Sequence, residues 1–192
     1  MSELNTALIA QLARAYAILV IVSIITLILL YSGLRIFGPI NDLTNAVAAL
    51  VVAAFAWQLH RAIAAQRGYL ATLLLAAAWL GALSVAGNSV LVAAGRMGWQ
   101  TGGMYTAFGY GLFGLWLFGA LPAIGAALAL PSSLLILGRW AAIAMSVGLL
   151  GILPLLSVVA LNSPLAYTAM AAIAAGWLLF PWWAFRLSQH LT

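Results

Sequence analysis

Six stretches of the chain, at about 13–34, 44–60, 69–94, 104–130, 134–161 and 164–185, run for roughly twenty residues with almost no charge. A helix rises about 1.5 Å per residue, so about 20 apolar residues cross a hydrocarbon core about 30 Å thick. Lipid offers no partner to backbone N–H and C=O groups, which leaves helices and closed barrels as the spanning structures. Barrel strands are short and alternate in polarity, whereas the first run, ARAYAILVIVSIITLILLYSGL, is uniformly apolar over far more than ten residues. The pattern therefore predicts an all-α fold: one domain over 1–192, a polytopic membrane bundle of six transmembrane helices. Turn-forming residues punctuate the runs. GPIND at 38–42 is expected to stop the first helix, LPSS at 130–133 to turn the chain with Ser133 as a cap, and NSP at 162–164 to open the sixth helix.

Composition explains where such a chain can live. Charged residues make up 5% and hydrophobic residues 67%, whereas a soluble domain carries about 25% charge to face water. Membrane lipids are the expected surroundings, in a bacterial inner (cytoplasmic) membrane. The seven arginines outnumber the two acids, but they stand singly between apolar runs and form no stripe to follow a phosphate backbone, which excludes nucleic acid as a partner. Cysteine is absent, so disulfides and thiolate chemistry are absent with it. The first run is read as a mature helix and not as a cleaved signal, because no basic residue precedes it within the first 13 positions and no small-x-small site follows it.

Orientation follows from the arginines, since basic residues on short loops stay in the cytoplasm. With the N-terminus inside, Arg14, Arg61, Arg67, Arg139 and Arg186 fall on the inner face, and Arg35 and Arg96 on the outer one. An even number of spans then puts both termini in the cytoplasm. The densest polar stretch, HRAIAAQR at 60–67, becomes the inner connection between the second and third helices, with Arg61 and Arg67 set to meet lipid headgroups. His60 admits a sharper reading, as a ligand to haem or a pigment, but the second histidine is His190, near the chain end, and offers no axial pair within the spans. No metal or cofactor is expected.

Catalytic chemistry finds few groups to use. The acids, Glu3 and Asp42, lie near the N-terminus and in the first outer loop, so no buried carboxylate pair is available for acid–base work or cation coupling. A retinal protein would need a lysine, and a serine hydrolase would need an intramembrane histidine beside Ser84, Ser89 or Ser146. The chain is expected not to be an enzyme.

What polarity remains is concentrated in LGALSVAGNSVLVAAG at 80–95, where Asn88, Ser84, Gly81 and Ala77 share one narrow helical face. That face suits close approach of the fourth helix at Ala107, Gly111 and Gly114, with the asparagine bonding across for about 0.6–2 kcal/mol. The alternative is a polar pocket in which Asn88, Ser84, Tyr105 and Tyr110 orient a small ligand. Pro122, Pro154 and Pro181 are read as kinks, and Trp57, Trp99, Trp140, Trp182 and Trp183 as an interfacial belt.

Six spans in about 190 residues, GRMGW after the third, and the close FPWWAFRLSQ with Pro181, Trp182, Ala184 and Arg186 resemble a family of small bacterial six-helix membrane proteins of unknown function. That resemblance implies no activity. Size and helix count are also similar to those of the substrate-binding membrane subunits of vitamin transporters, although the outer loops here are short and poor in polar groups. Two functions follow as expectations: an accessory or scaffold subunit packing laterally against partner membrane chains, which the featureless helix flanks favour, or binding and transport of a small, largely apolar molecule.

Overall fold

A computed structural model describes residues 5–158, 160 and 163–192, and the side chains at 62, 65–67 and 169 lie outside the described part. The headgroup expectation for Arg67 therefore falls outside the described residues. Six helices are long and apolar enough to cross a membrane: α1 (Thr6–Tyr31), α2 (Phe37–Arg61), α3 (Gly68–Ala93), α4 (Trp99–Ala127), α5 (Ser132–Leu155) and α6 (Pro164–His190). The described residues contain no strand. The protein is an all-helical membrane bundle.

Local chemistry sets the helix ends, and in three places it does so differently from the sequence expectation. Asn5 caps α1 by accepting from the Leu8 amide at 2.9 Å, and Ser163 caps α6 by accepting from Ala166 at 3.2 Å, with Pro164 in the first turn where its missing N–H costs no bond. GPIND does not stop α1. It forms the opening turns of α2, because Pro39 sits where a helix tolerates it, and α2 begins at Phe37 instead of position 44. Ser133 lies inside α5 and caps nothing; Pro131 occupies the cap position in extended geometry. Between α2 and α3 there is no loop at all. The helical backbone continues to Gly68, whose φ of 50° and ψ of −128° break it, a conformation in which a Cβ would be strained.

α5 changes pitch along its length, tightening from α-helix at Ser132–Ser146 to a 3-10 turn at Val147–Gly151 before Ile152–Leu155. Pro154 has no amide hydrogen to give the carbonyl four residues before it, which favours this local rearrangement. Pro122 and Pro181 remain inside α4 and α6.

Short links make consecutive helices run antiparallel. α1 packs beside α2 and α6, α5 lies between α4 and α6, and α4 is the most buried helix. Glycines set two close seams. A Cβ on Gly81 of α3 would stand 2.6 Å from the carbonyl oxygen of Gly109 on α4, and one on Gly109 would stand 2.8 Å from that of Gly81. Gly111 and Gly114, expected to face α3, instead press on α5 at Gly148, Leu149 and Ser146. Two residues turn a helix by about 200°, so Gly109 and Gly111 must serve opposite neighbours.

Large side chains fill the half of the bundle nearer the termini. Phe55 of α2 meets Trp116 of α4 and Trp183 of α6 edge-on at 6.3 and 6.1 Å, Trp183 stacks on Phe180 at 5.7 Å, and Tyr16 of α1 touches Phe180 at 4.9 Å. Trp183 is thus a core residue and not part of a belt, whereas its neighbour Trp182 is exposed, as are Trp57, Trp99 and Trp140. The 100° step between adjacent helical positions separates the two.

Candidate functional site

The half of the bundle away from the termini is not filled. Here the last turns of α1 and α3 meet the first turns of α2 and α4 and the first half of α6, and they line a half-open cavity of about 660 Å³. Its wall takes Leu27, Leu30 and Tyr31 from α1, Asn41, Asp42 and Asn45 from α2, Asn88, Ser89 and Val92 from α3, Gly102, Gly103 and Thr106 from α4, and Met170, Ile173, Ala174 and Trp177 from α6. Gly33 and Arg35, in the link after α1, and Trp99 complete it. Gly102 lets α4 press on Val92 of α3, and a Cβ on Gly103 would meet Met170 of α6 at 3.5 Å.

One wall is held by a polar cluster between α1 and α2. The buried Ser23 hydroxyl lies 2.8 Å from Asn41 Oδ1 and 3.0 Å from Asn45 Oδ1. A hydroxyl has one proton, so Ser23 donates to one asparagine and accepts from the other, whose amide turns to present its nitrogen. Thr26 Oγ1 shares its one proton between the backbone carbonyls of Ser23 and Val22, at 2.9 and 3.0 Å. Each asparagine uses one end of its amide on Ser23 and keeps the other for the cavity it lines. Without this pairing, two buried amides left without partners would cost several kcal/mol each.

The opposite wall is held by Asn88. Its Nδ2 donates to the Ser84 carbonyl at 2.6 Å, and its Oδ1 accepts from Thr106 of α4 at 3.1 Å, the interhelical bond that the sequence suggests. Of the four residues considered for a ligand pocket, only Asn88 lines the cavity. Ser84 donates to the Tyr105 carbonyl at 3.1 Å and ties α3 to α4 instead. Tyr105 is exposed outside the cavity. Tyr110 is fully buried and meets Trp177 edge-on at 5.7 Å, behind the cavity wall.

Charge enters through Arg35 and Asp42, which both line the cavity. The sequence reading places Asp42 in an outer loop and so finds no carboxylate within a span. The early start of α2 overturns that placement: Asp42 is one turn inside the helix and half-buried. The missed residues Asn41 and Asn45 carried a signal, since they are one helical turn apart, as are Ser23 and Thr26 in an otherwise apolar run.

At the other end of the bundle, His60 stacks on Trp57 with ring centroids 6.1 Å apart, and its Nδ1 is buried without a hydrogen-bond partner. Arg61 beside it is exposed at the end of α2. Among the described residues, no group of three or more His, Asp or Glu side chains gathers to hold a metal ion. The chain matches no family model, no curated protein and no solved structure.

Proposed function

We propose that this protein is a non-enzymatic integral membrane protein that holds a small, largely apolar molecule with a compact polar group in the cavity at the end of the bundle away from its termini. The observation that carries this reading is the cavity itself. Its volume falls within the range of about 300–1,000 Å³ typical of ligand sites, its wall is mainly apolar, and a few polar groups, chiefly Asn41, Asn45 and Asp42, converge on it. Packing alone would close such a space, and the polar groups would then need partners from within the protein.

A second reading, lateral association with partner membrane chains as an accessory subunit, draws on the exposed flank of α1 at Ile18, Ile21, Ile25 and Ile28. Lipid covers such a flank equally well, so the cavity favours binding. Native mass spectrometry from mild detergent separates the two. We expect one small-molecule adduct per chain, lost in Ala174→Trp, which fills the cavity from an exposed wall position without entering a helix seam. Co-purifying membrane chains without an adduct would favour the accessory reading.

In this proposal both termini are cytoplasmic and the cavity opens toward the outer face of a bacterial inner membrane, as the five-to-two division of arginines favours. The absence of cysteine gives a clean test. Ser32 and Ser132 are exposed at opposite ends of the bundle. In intact cells a membrane-impermeant thiol reagent is expected to label Ser32→Cys and to spare Ser132→Cys. The reverse pattern would invert the topology.

A further inference from the structure

A second space adjoins the cavity. Trp177, in its wall, also lines a groove of about 240 Å³ between α1 and α6. On α1 the lining passes from Leu27 in the cavity to Ile24, Val20 and Ala17 in the groove; on α6 it passes from Ile173 through Trp177 to Pro181 and Phe185. Steps of three or four residues keep each series on one face of its helix, so cavity and groove lie end to end along the α1·α6 cleft with Trp177 between them. Its two ends differ in chemistry. Asn41, Asp42, Asn45 and Arg35 stand at the cavity end, whereas the groove is apolar apart from the indole nitrogens of its tryptophans. From Trp177 to Phe185 the groove extends about 12 Å, close to the depth of one leaflet of a core about 30 Å thick.

We infer that this cleft binds a single-tailed zwitterionic amphiphile of the lysophosphatidylethanolamine class, its head in the cavity and its acyl chain in the groove. The inference rests on the reading of the cavity as a binding site. The tail follows from an apolar groove that adjoins, at Trp177, a cavity whose far end is polar. The head follows from charge: one guanidinium, Arg35, suits a phosphate, and one carboxylate, Asp42, suits an ammonium group. The asparagine amides supply further hydrogen bonds to ester and hydroxyl oxygens.

The test uses the delipidated full chain in detergent and native mass spectrometry with three probes: lysophosphatidylethanolamine, tailless glycerophosphoethanolamine, and a free fatty acid of the same chain length. We expect one lysophosphatidylethanolamine per chain, with both other probes bound at least about tenfold more weakly. Ile21→Trp obstructs the groove from an exposed position, and it is expected to weaken the lysolipid about tenfold while leaving the melting temperature near that of the parent chain. Asp42→Asn and Arg35→Gln are expected to reduce the preference for lysolipid over fatty acid. Glycerophosphoethanolamine binding as well as the lysolipid, or lysolipid binding indifferent to Ile21→Trp, would overturn this arrangement. If a co-purified molecule is expelled by Ala174→Trp but the lysolipid does not bind, the cavity reading stands and this inference falls; if nothing occupies the cavity, both fall.

Discussion

Gly114→Leu is expected to prevent the bundle from assembling. A Cβ at this position would press on the amide nitrogen of Ser146 and lie 2.7 Å from the Ala142 carbonyl oxygen and 2.8 Å from the Met145 carbonyl carbon. All three belong to the α5 backbone, which cannot rotate aside as a side chain can. Relief requires α4 and α5 to separate, and that opens the neighbouring contacts at Gly111 and Gly148 as well. Overpacking of this kind costs about 3 kcal/mol or more. Gly87 is the control, since a Cβ there meets no atom within 4 Å, and Gly87→Ala is expected to be neutral or stabilising by up to about 1 kcal/mol through helix propensity. Detergent-solubilised thermal unfolding followed by size-exclusion chromatography reads both. A stable, monodisperse Gly114→Leu protein would show that the α4·α5 seam is not close-packed.

Trp183→Ala is expected to cost about 3–5 kcal/mol, the range for truncating a buried aromatic residue. Trp183 is fully buried, stacked on Phe180 and edge-on to Phe55, so its removal leaves a void shared by α2 and α6. It also blocks any Cβ at Gly138 on α5, where the Trp183 Nε1 would lie 2.8 Å away, so a third helix packs on the same indole. Trp182→Ala, one position earlier and exposed, removes a lipid-facing side chain and should cost far less. Equal losses at the two positions in equilibrium unfolding would overturn the assignment of Trp183 to the core.

Helix class and span number were legible because lipid leaves so few alternatives: an apolar run of the right length has to be a helix or part of a barrel. The site was less legible. Asn41 and Asp42 follow Gly38 and Pro39, a composition that reads as a loop, and the tolerance of a helix for proline in its first turn makes the same residues helical. The spacing of Ser23 and Thr26 against Asn41 and Asn45 was visible, but their pairing depends on α1 lying beside α2 in one particular rotation, which periodicity does not specify. The glycine seams failed for a related reason. A small face shows that some helix comes close without showing which one, so the sequence points Gly111 and Gly114 at α3, whereas α5 occupies that side. Asn88 succeeded because its partner, Thr106, lies on the next helix in the chain.

The Ser23, Asn41 and Asn45 cluster bears on how the chain is made. Helices leave the ribosome in order, and these three polar side chains lie on the first two. They can neutralise one another as soon as α2 follows α1 into the bilayer, before any other helix exists to shelter them. Trp177 and the rest of the α6 wall arrive last. A nascent chain thus carries its polar cluster safely through synthesis, while the finished chamber exists only once the final helix has docked, so a prematurely terminated product lacks the chamber altogether.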